Sequence, residues 1–205
     1  MLHTLFQNFR TPTGRLGKVI LFAMNRGHRP FWNWSWTDIP IPDHAHMLDI
    51  GCGAGGNIHT LLRQYPSVTV DGIDISEASV AYSQKTNAAY LGSRCTIRLG
   101  TAEQLPYEDN ALDIITAFET IYFWPDLPRA FAEIYRILKS GGTFLIACEA
   151  GDPADTTWTK RIDGMVVYAP EELSRALQQA GFTPAMPQWH TKGLGTKPFR
   201  IIAKK

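Results

Sequence analysis

A doubly wound α/β fold is what this sequence predicts: a mostly parallel seven-stranded sheet with helices on both faces. Three observations carry the prediction. From Met47 onward, short apolar runs alternate with helical patterns, as successive βα units do. An apolar strand leads straight into the glycine-rich turn Gly51-Cys52-Gly53-Ala54-Gly55-Gly56, which opens a helix. No helix-length segment separates Trp189 from Pro198, so the chain closes on a hairpin whose last strand is antiparallel.

Taken in order, the strands are expected at Met47–Ile50, Val68–Asp74, Arg94–Leu99, Leu112–Phe118, Thr143–Cys148, Phe182–Trp189 and Pro198–Ala203. Helices fit between them at Asn57–Gln64, Glu77–Leu91, Pro128–Leu138 and Pro170–Ala180. Ser76 is a good N-cap, and Glu77 complements the positive end of the helix dipole. Gly92 and Gly181 each follow a helical run, where a left-handed closing residue is favoured. Phe131, Ile134, Tyr135 and Leu138 recur at helical spacing and form one buried stripe. Pro170 suits a first turn, although Ala169 before it is a poor cap.

Residues 1–45 form an extension to the domain at 46–205. A helix is expected around Arg15–Met24, followed by Phe31-Trp32-Asn33-Trp34-Ser35-Trp36. If that stretch is extended, its three tryptophans share a face. The segment either closes over substrate as a lid or docks on the sheet.

With 205 residues, 44% of them hydrophobic and 19% charged, the chain has the makings of a single globular core. Its charge is unevenly placed. All 19 acidic residues lie between Asp38 and Glu172, whereas the ends hold Arg and Lys alone. Basic ends suit an anionic partner or mere solvation, and a net charge of +1 argues against a nucleic-acid substrate. Cys52, Cys95 and Cys148 lack the spacing of a disulfide framework or a zinc site, which fits a cytoplasmic protein. Val19–Met24 is too short for a membrane span or a secretory core, so membrane insertion is not expected. His44 and His46 read as solvated loop residues rather than metal ligands. Oligomeric state is left open.

The glycine turn marks a ligand site. Glycine admits positive φ and lets a ligand approach the backbone, and free N–H groups at the helix start can face it. Gly51, Gly53 and Gly56 also satisfy the dinucleotide pattern G-x-G-x-x-G. Asp49 bears on the choice: a carboxylate there repels a pyrophosphate but attracts the sulfonium and ammonium groups of S-adenosylmethionine. The bare attraction is about 1 kcal/mol per pair at about 4 Å in water and about 4 kcal/mol at an effective dielectric of about 20. Desolvation subtracts from both figures. Asp74, about 20 residues beyond the turn, ends the second strand where an acid accepts hydrogen bonds from ribose hydroxyls. Ile75 can pack on the adenine, and Asp71 reads as a solvated strand-start residue.

Together these residues resemble a known family. Leu48-Asp49-Ile50-Gly51-Cys52-Gly53-x-Gly55 is similar to the first motif of class I S-adenosylmethionine-dependent methyltransferases, whose fold is Rossmann-like, and Gly72-Ile73-Asp74-Ile75-Ser76 resembles their second-strand acid. Ala102-Glu103-Gln104-Leu105-Pro106-Tyr107 resembles the adenine-lining segment of the small bacterial members. Leu112-Asp113-Ile114-Ile115 and Arg136-Ile137-Leu138-Lys139-Ser140-Gly141-Gly142 resemble their fourth strand and the turn into the fifth. The likeness covers about Met47 to Ala150, and the N-terminal Met24-Asn25-Arg26-Gly27-His28 is similar to a subgroup of unassigned members. One departure is Thr101, where many relatives carry an acid. The resemblance implies a donor site built from Asp49, Gly51, Cys52, Gly53, Gly55, Asn57, Asp74, Ile75, Ala102, Glu103 and Glu119, with S-adenosylhomocysteine as product and a small-molecule acceptor.

Methyl transfer is an in-line displacement in which positioning can suffice, so no residue is compelled to be catalytic. Glu119, Tyr122 and Trp124 follow the fourth strand, at the edge where open α/β sheets bind ligands. Glu119 suits a base or a holder of the donor's cationic end, and His28 suits a base carried on a lid. The aromatics suit a cation–π face, a substrate wall or ordinary packing. Competing readings are an NAD(P)-dependent reductase, for which Tyr135 and Lys139 have a Tyr-x-x-x-Lys spacing, and a non-catalytic nucleotide-binding protein.

Overall fold

The computed structural model describes residues 29–190 and 197–205, together with Gln7, Gly17 and Gly27. His28 and, apart from Gly17, the helix expected around Arg15–Met24 lie outside the described residues. The elements run α1 (Arg29–Ser35), β1 (His46–Ile50), α2 (Gly56–Gln64), β2 (Thr69–Asp74), α3 (Glu77–Thr86), β3 (Ile97–Leu99) and β4 (Leu112–Phe118). After a 3-10 turn at Ile121–Phe123 come α4 (Leu127–Ile137), β5 (Leu138–Cys148), α5 (Pro170–Gln179), β6 (Gln188–Trp189) and β7 (Phe199–Lys204).

All strands join one seven-stranded sheet in the order β3-β2-β1-β4-β5-β7-β6. β1 to β5 are parallel, and β7 runs antiparallel to both β5 and β6. The Rossmann-like expectation therefore holds. Strand order reverses at the β1–β4 boundary, which opens a crevice at the strand C-termini. One face of the sheet is covered by α4 and α5, whose Phe131, Ile134, Leu173 and Leu177 pack on Phe144 and Ile201. On the other face Ile58, Leu61 and Leu62 of α2 cover Met47 and Val70.

Several boundaries differ from expectation for local reasons. β5 begins at Leu138 because Leu138 pairs with Leu112 of β4, and the backbone of Lys205 pairs with Gly141 N–H and Gly142 O to carry the strand through the glycines. β6 is only two residues long, since Pro184 and Pro187 remove ladder donors before it. α3 stops at Thr86 because the Asn87 side chain turns back to donate to Ser83 O (3.0 Å) and Gly55 O (3.1 Å).

The tryptophan stretch is a helix, not an extended segment. Trp36 N–H donates to Trp32 O at 3.0 Å, and Phe31 and Ser35, four residues apart, turn inward while the tryptophans spread around the axis. Arg200 in β7 fastens this helix to the sheet. Its guanidinium, 4% exposed, donates to the carbonyls of Trp34 (3.0 Å), Ser35 (3.1 Å) and Thr37 (2.6 Å). Two histidine-region readings are also corrected. His46 opens β1 rather than a loop, and Asp71 is buried, because His46 Nε2 (2.8 Å), Tyr107 OH (3.0 Å) and Thr96 N–H (2.8 Å) surround its carboxylate.

Candidate functional site

The crevice gathers the turn after β1, the ends of β2 and β4, and the segment after β3. Gly51 and Cys52 N–H both donate to Ile73 O (2.7 and 3.1 Å), fixing the turn to β2. The glycines serve different ends. A Cβ on Gly51 would lie 2.1 Å from Thr120 Oγ1, and one on Gly55 would lie 2.3 Å from Ser83 Oγ, so both permit close packing of protein on protein. Gly53, at φ +51°, faces open space within 4 Å, and there a ligand can reach the backbone.

Two carboxylates, Asp49 and Asp74, border this turn, and Glu119 with its neighbour Glu149 lies at the end of β4. Asp49 is 4% exposed and accepts from Thr116 Oγ1 at 2.6 Å. Burial pushes its carboxyl up to about 6, the Thr116 and Asn57 side chains oppose that, and Asp74 adds to it. Asp74 accepts from Gly53 N–H and Ser76 N–H, each at 2.9 Å on a different oxygen, and the Ser79 side chain also faces the carboxylate, which keeps acceptor capacity to spare. Its pKa is also raised, by burial first. Glu119 adopts a left-handed backbone (φ 55°) at the end of β4. Burial, then the neighbouring Glu149, pushes it up to about 8, although its Oε1 accepts the Glu149 N–H.

Tyr122 is a buttress for that acid. It is 3% exposed, its hydroxyl accepts Ala150 N–H at 2.9 Å, and it lies 3.4 Å from Glu119 Oε1. Trp124, edge-on to Phe131, belongs to the core and forms no wall of the crevice. Cys52 turns its thiol toward Ser83 Oγ at 3.8 Å and beneath Gly72, leaving only its backbone for a ligand. The reductase pair is likewise absent: Tyr135 packs on Phe182, and Lys139 Nζ is 2.8 Å from both oxygens of Asp113.

At the β2 side, Ile75 is 49% exposed beside Asp74. Leu99, paired with Asp74 across the β2–β3 ladder and 55% exposed, is a further candidate that the sequence did not mark. The signal was present in its place at the end of an edge strand, one residue before Gly100. Ala102 is buried, and Glu103 Oε1 is buried with no hydrogen-bond partner among the described residues. Thr101 is exposed and bridges to Gln104. Among the described residues no group of three or more His, Cys, Asp or Glu could hold a metal, and no helix is long and apolar enough to cross a membrane.

Comparisons with known proteins agree with this geometry. A methyltransferase domain matches residues 48–146. The demethylmenaquinone methyltransferase of Lactiplantibacillus plantarum is 31% identical over 151 residues, 73% of this chain and 62% of that protein. The chain spans less than two thirds of the length of the curated relatives it matches first. Among solved structures, a methyltransferase of Haloferax volcanii, complexed with the Trm112 methyltransferase activator, superposes with a TM-score of 0.78. Their identity is 19%, covering 92% of this chain and 96% of that one. The geranyl diphosphate C-methyltransferase of Streptomyces coelicolor, solved with S-adenosyl-L-homocysteine, gives a TM-score of 0.72 at 15% identity, over 94% and 84% of the two chains.

Proposed function

This chain belongs to the class I S-adenosylmethionine-dependent methyltransferase family, and from that premise we propose that it transfers a methyl group from S-adenosylmethionine to a small-molecule acceptor in the cytoplasm. One observation carries the reading: the Gly53 backbone, held by Asp74, faces open space, and the buried Asp49 just before the turn has no cation paired to it among the described residues. That field favours a cationic ligand and opposes a pyrophosphate. The orphaned Glu103 Oε1 and the open face at Gly53 fit a ligand that donates hydrogen bonds and lies against backbone.

The residues divide the work. Asp74 offers its remaining acceptor capacity to the ribose hydroxyls. Ile75, Leu99 and Ala102 provide apolar contact for adenine, and Glu103 an acceptor for its amino group. Asp49 and Asn57 lie toward the amino-acid portion, and Gly51, Cys52, Gly53 and Gly55 shape the backbone between. The bound donor supplies a sulfonium carbon with a good leaving group. Positioning by these side chains then supplies most of the rate enhancement. Where the accepting atom must lose a proton, Glu119 takes it, since Tyr122 is locked in the core. With its carboxyl near 8, Glu119 becomes a competent base as pH rises or as a nearby cation lowers its pKa.

The reading is tested by incubating the protein with methyl-labelled S-adenosylmethionine and separate pools of small metabolites, RNA and protein. Label is expected in the small-molecule pool. Label confined to RNA or protein would overturn the acceptor class.

A further inference from the structure

Resting on the donor reading above, we propose that Trp36 is a positioning residue of the cofactor site: its indole N–H orients the Asn57 amide so that the donor end, Nδ2, serves the carboxylate of the ligand's amino-acid portion. An indole nitrogen can only donate, so it selects the oxygen of an amide. Trp36 Nε1 lies 3.0 Å from Asn57 Oδ1. The amide is thereby fixed, and its NH2 end turns away from the indole.

Nδ2 is a buried donor on a residue only 4% exposed, and among the described residues no acceptor meets it at hydrogen-bond distance and angle. Such a group is costly unless something accepts from it. Asn57 is the second residue of α2, directly after the glycine turn; its amide donor faces the buried Asp49 carboxyl, whose pKa it lowers, and the second Nδ2 hydrogen remains for a ligand. A donor and a carboxylate side by side complement the carboxylate and ammonium of an amino acid. Trp36 itself is held from behind, because Arg200 grips the carbonyls of Trp34, Ser35 and Thr37, and from the side, where its ring meets Phe118 at 6.2 Å. The segment before β1 thus reaches the cofactor, which a lid concerned with the acceptor alone would not do.

The experiment is calorimetric titration of S-adenosylhomocysteine into wild type, Trp36→Phe, Asn57→Ala and the double variant, from mildly acidic to neutral pH. Trp36→Phe keeps an aromatic ring and removes the donor. It is expected to weaken binding about five- to ten-fold, the range of one net hydrogen bond. In the Asn57→Ala background the same change is expected to add nothing.

The pH profile separates orientation from loosening. When the amide is free to turn its oxygen toward Asp49, that carboxyl holds its proton to higher pH, so the acid-side loss of affinity moves upward. The other titratable groups facing Asp49 among the described residues are Asp74 on β2 and the Cys52 thiol in the turn. Burial keeps Cys52 neutral, Asp74 is common to both proteins, and Thr116 from β4 does not titrate. Wild type that fails to bind would defeat the donor reading itself. Wild type that binds, with Trp36→Phe matching it in affinity and profile or losing affinity equally at every pH, would defeat the role of Trp36. Should Asn57→Ala fail to fold, the Trp36→Phe profile decides alone.

Discussion

At the scale of single residues, Glu119 is where local chemistry and site coincide. Its left-handed backbone and half-buried carboxyl carry a cost that ordinary packing does not require. The folded protein holds its proton up to about 8, whereas an unfolded glutamate releases it near 4.5. The folded state therefore binds the extra proton between those values, and stability falls as pH rises through that window. Glutamine at this position mimics the protonated acid. Glu119→Gln is expected to leave the thermal midpoint near that of wild type at about pH 5 and to raise it by several degrees at about pH 9. An equal effect at both pH values would show that the folded-state carboxyl is not held protonated. That Asp49, Gly53, Asp74 and Ile75 lie together at the strand ends was legible in the sequence, because a glycine turn and a strand-end acid have fixed offsets. Leu99, Thr116 and Thr120 were not, since their roles come from what folding sets beside them.

At the scale of elements, the parallel core was legible because βα periodicity is local: β4 matched at both ends, and α2 and α4 within one residue at each end. The errors lie where pairing with distant segments sets the boundary, as at β5 with Leu112 and Lys205, or at α3, where Asn87 reaches Gly55. The conformation of the tryptophan stretch was left open by its alternating aromatics, and Arg200, more than 160 residues away, caps the carbonyls at the helix end. Arg200→Ala leaves those carbonyls without their donor. A loss of about 1–3 kcal/mol in chemical denaturation is expected, with weaker S-adenosylhomocysteine binding because Trp36 loses its support. Unchanged binding in the destabilised variant would separate the α1 anchor from the cofactor site. By the same logic, removing residues 1–37 is expected to impair cofactor binding.

At the scale of the whole molecule, the crevice follows from topology. The reversal of strand order beside β1 opens it at the strand C-termini, and Asp49 and Asp74 are delivered there in a chain of net charge +1. The glycine turn alone leaves dinucleotide and methyl donor both open, and the buried Asp49 beneath it decides between them by sign. The most direct test is calorimetric titration of the purified protein with S-adenosylmethionine, S-adenosylhomocysteine and NADH. The account predicts that the first two bind and NADH does not. Binding of NADH alone would contradict it.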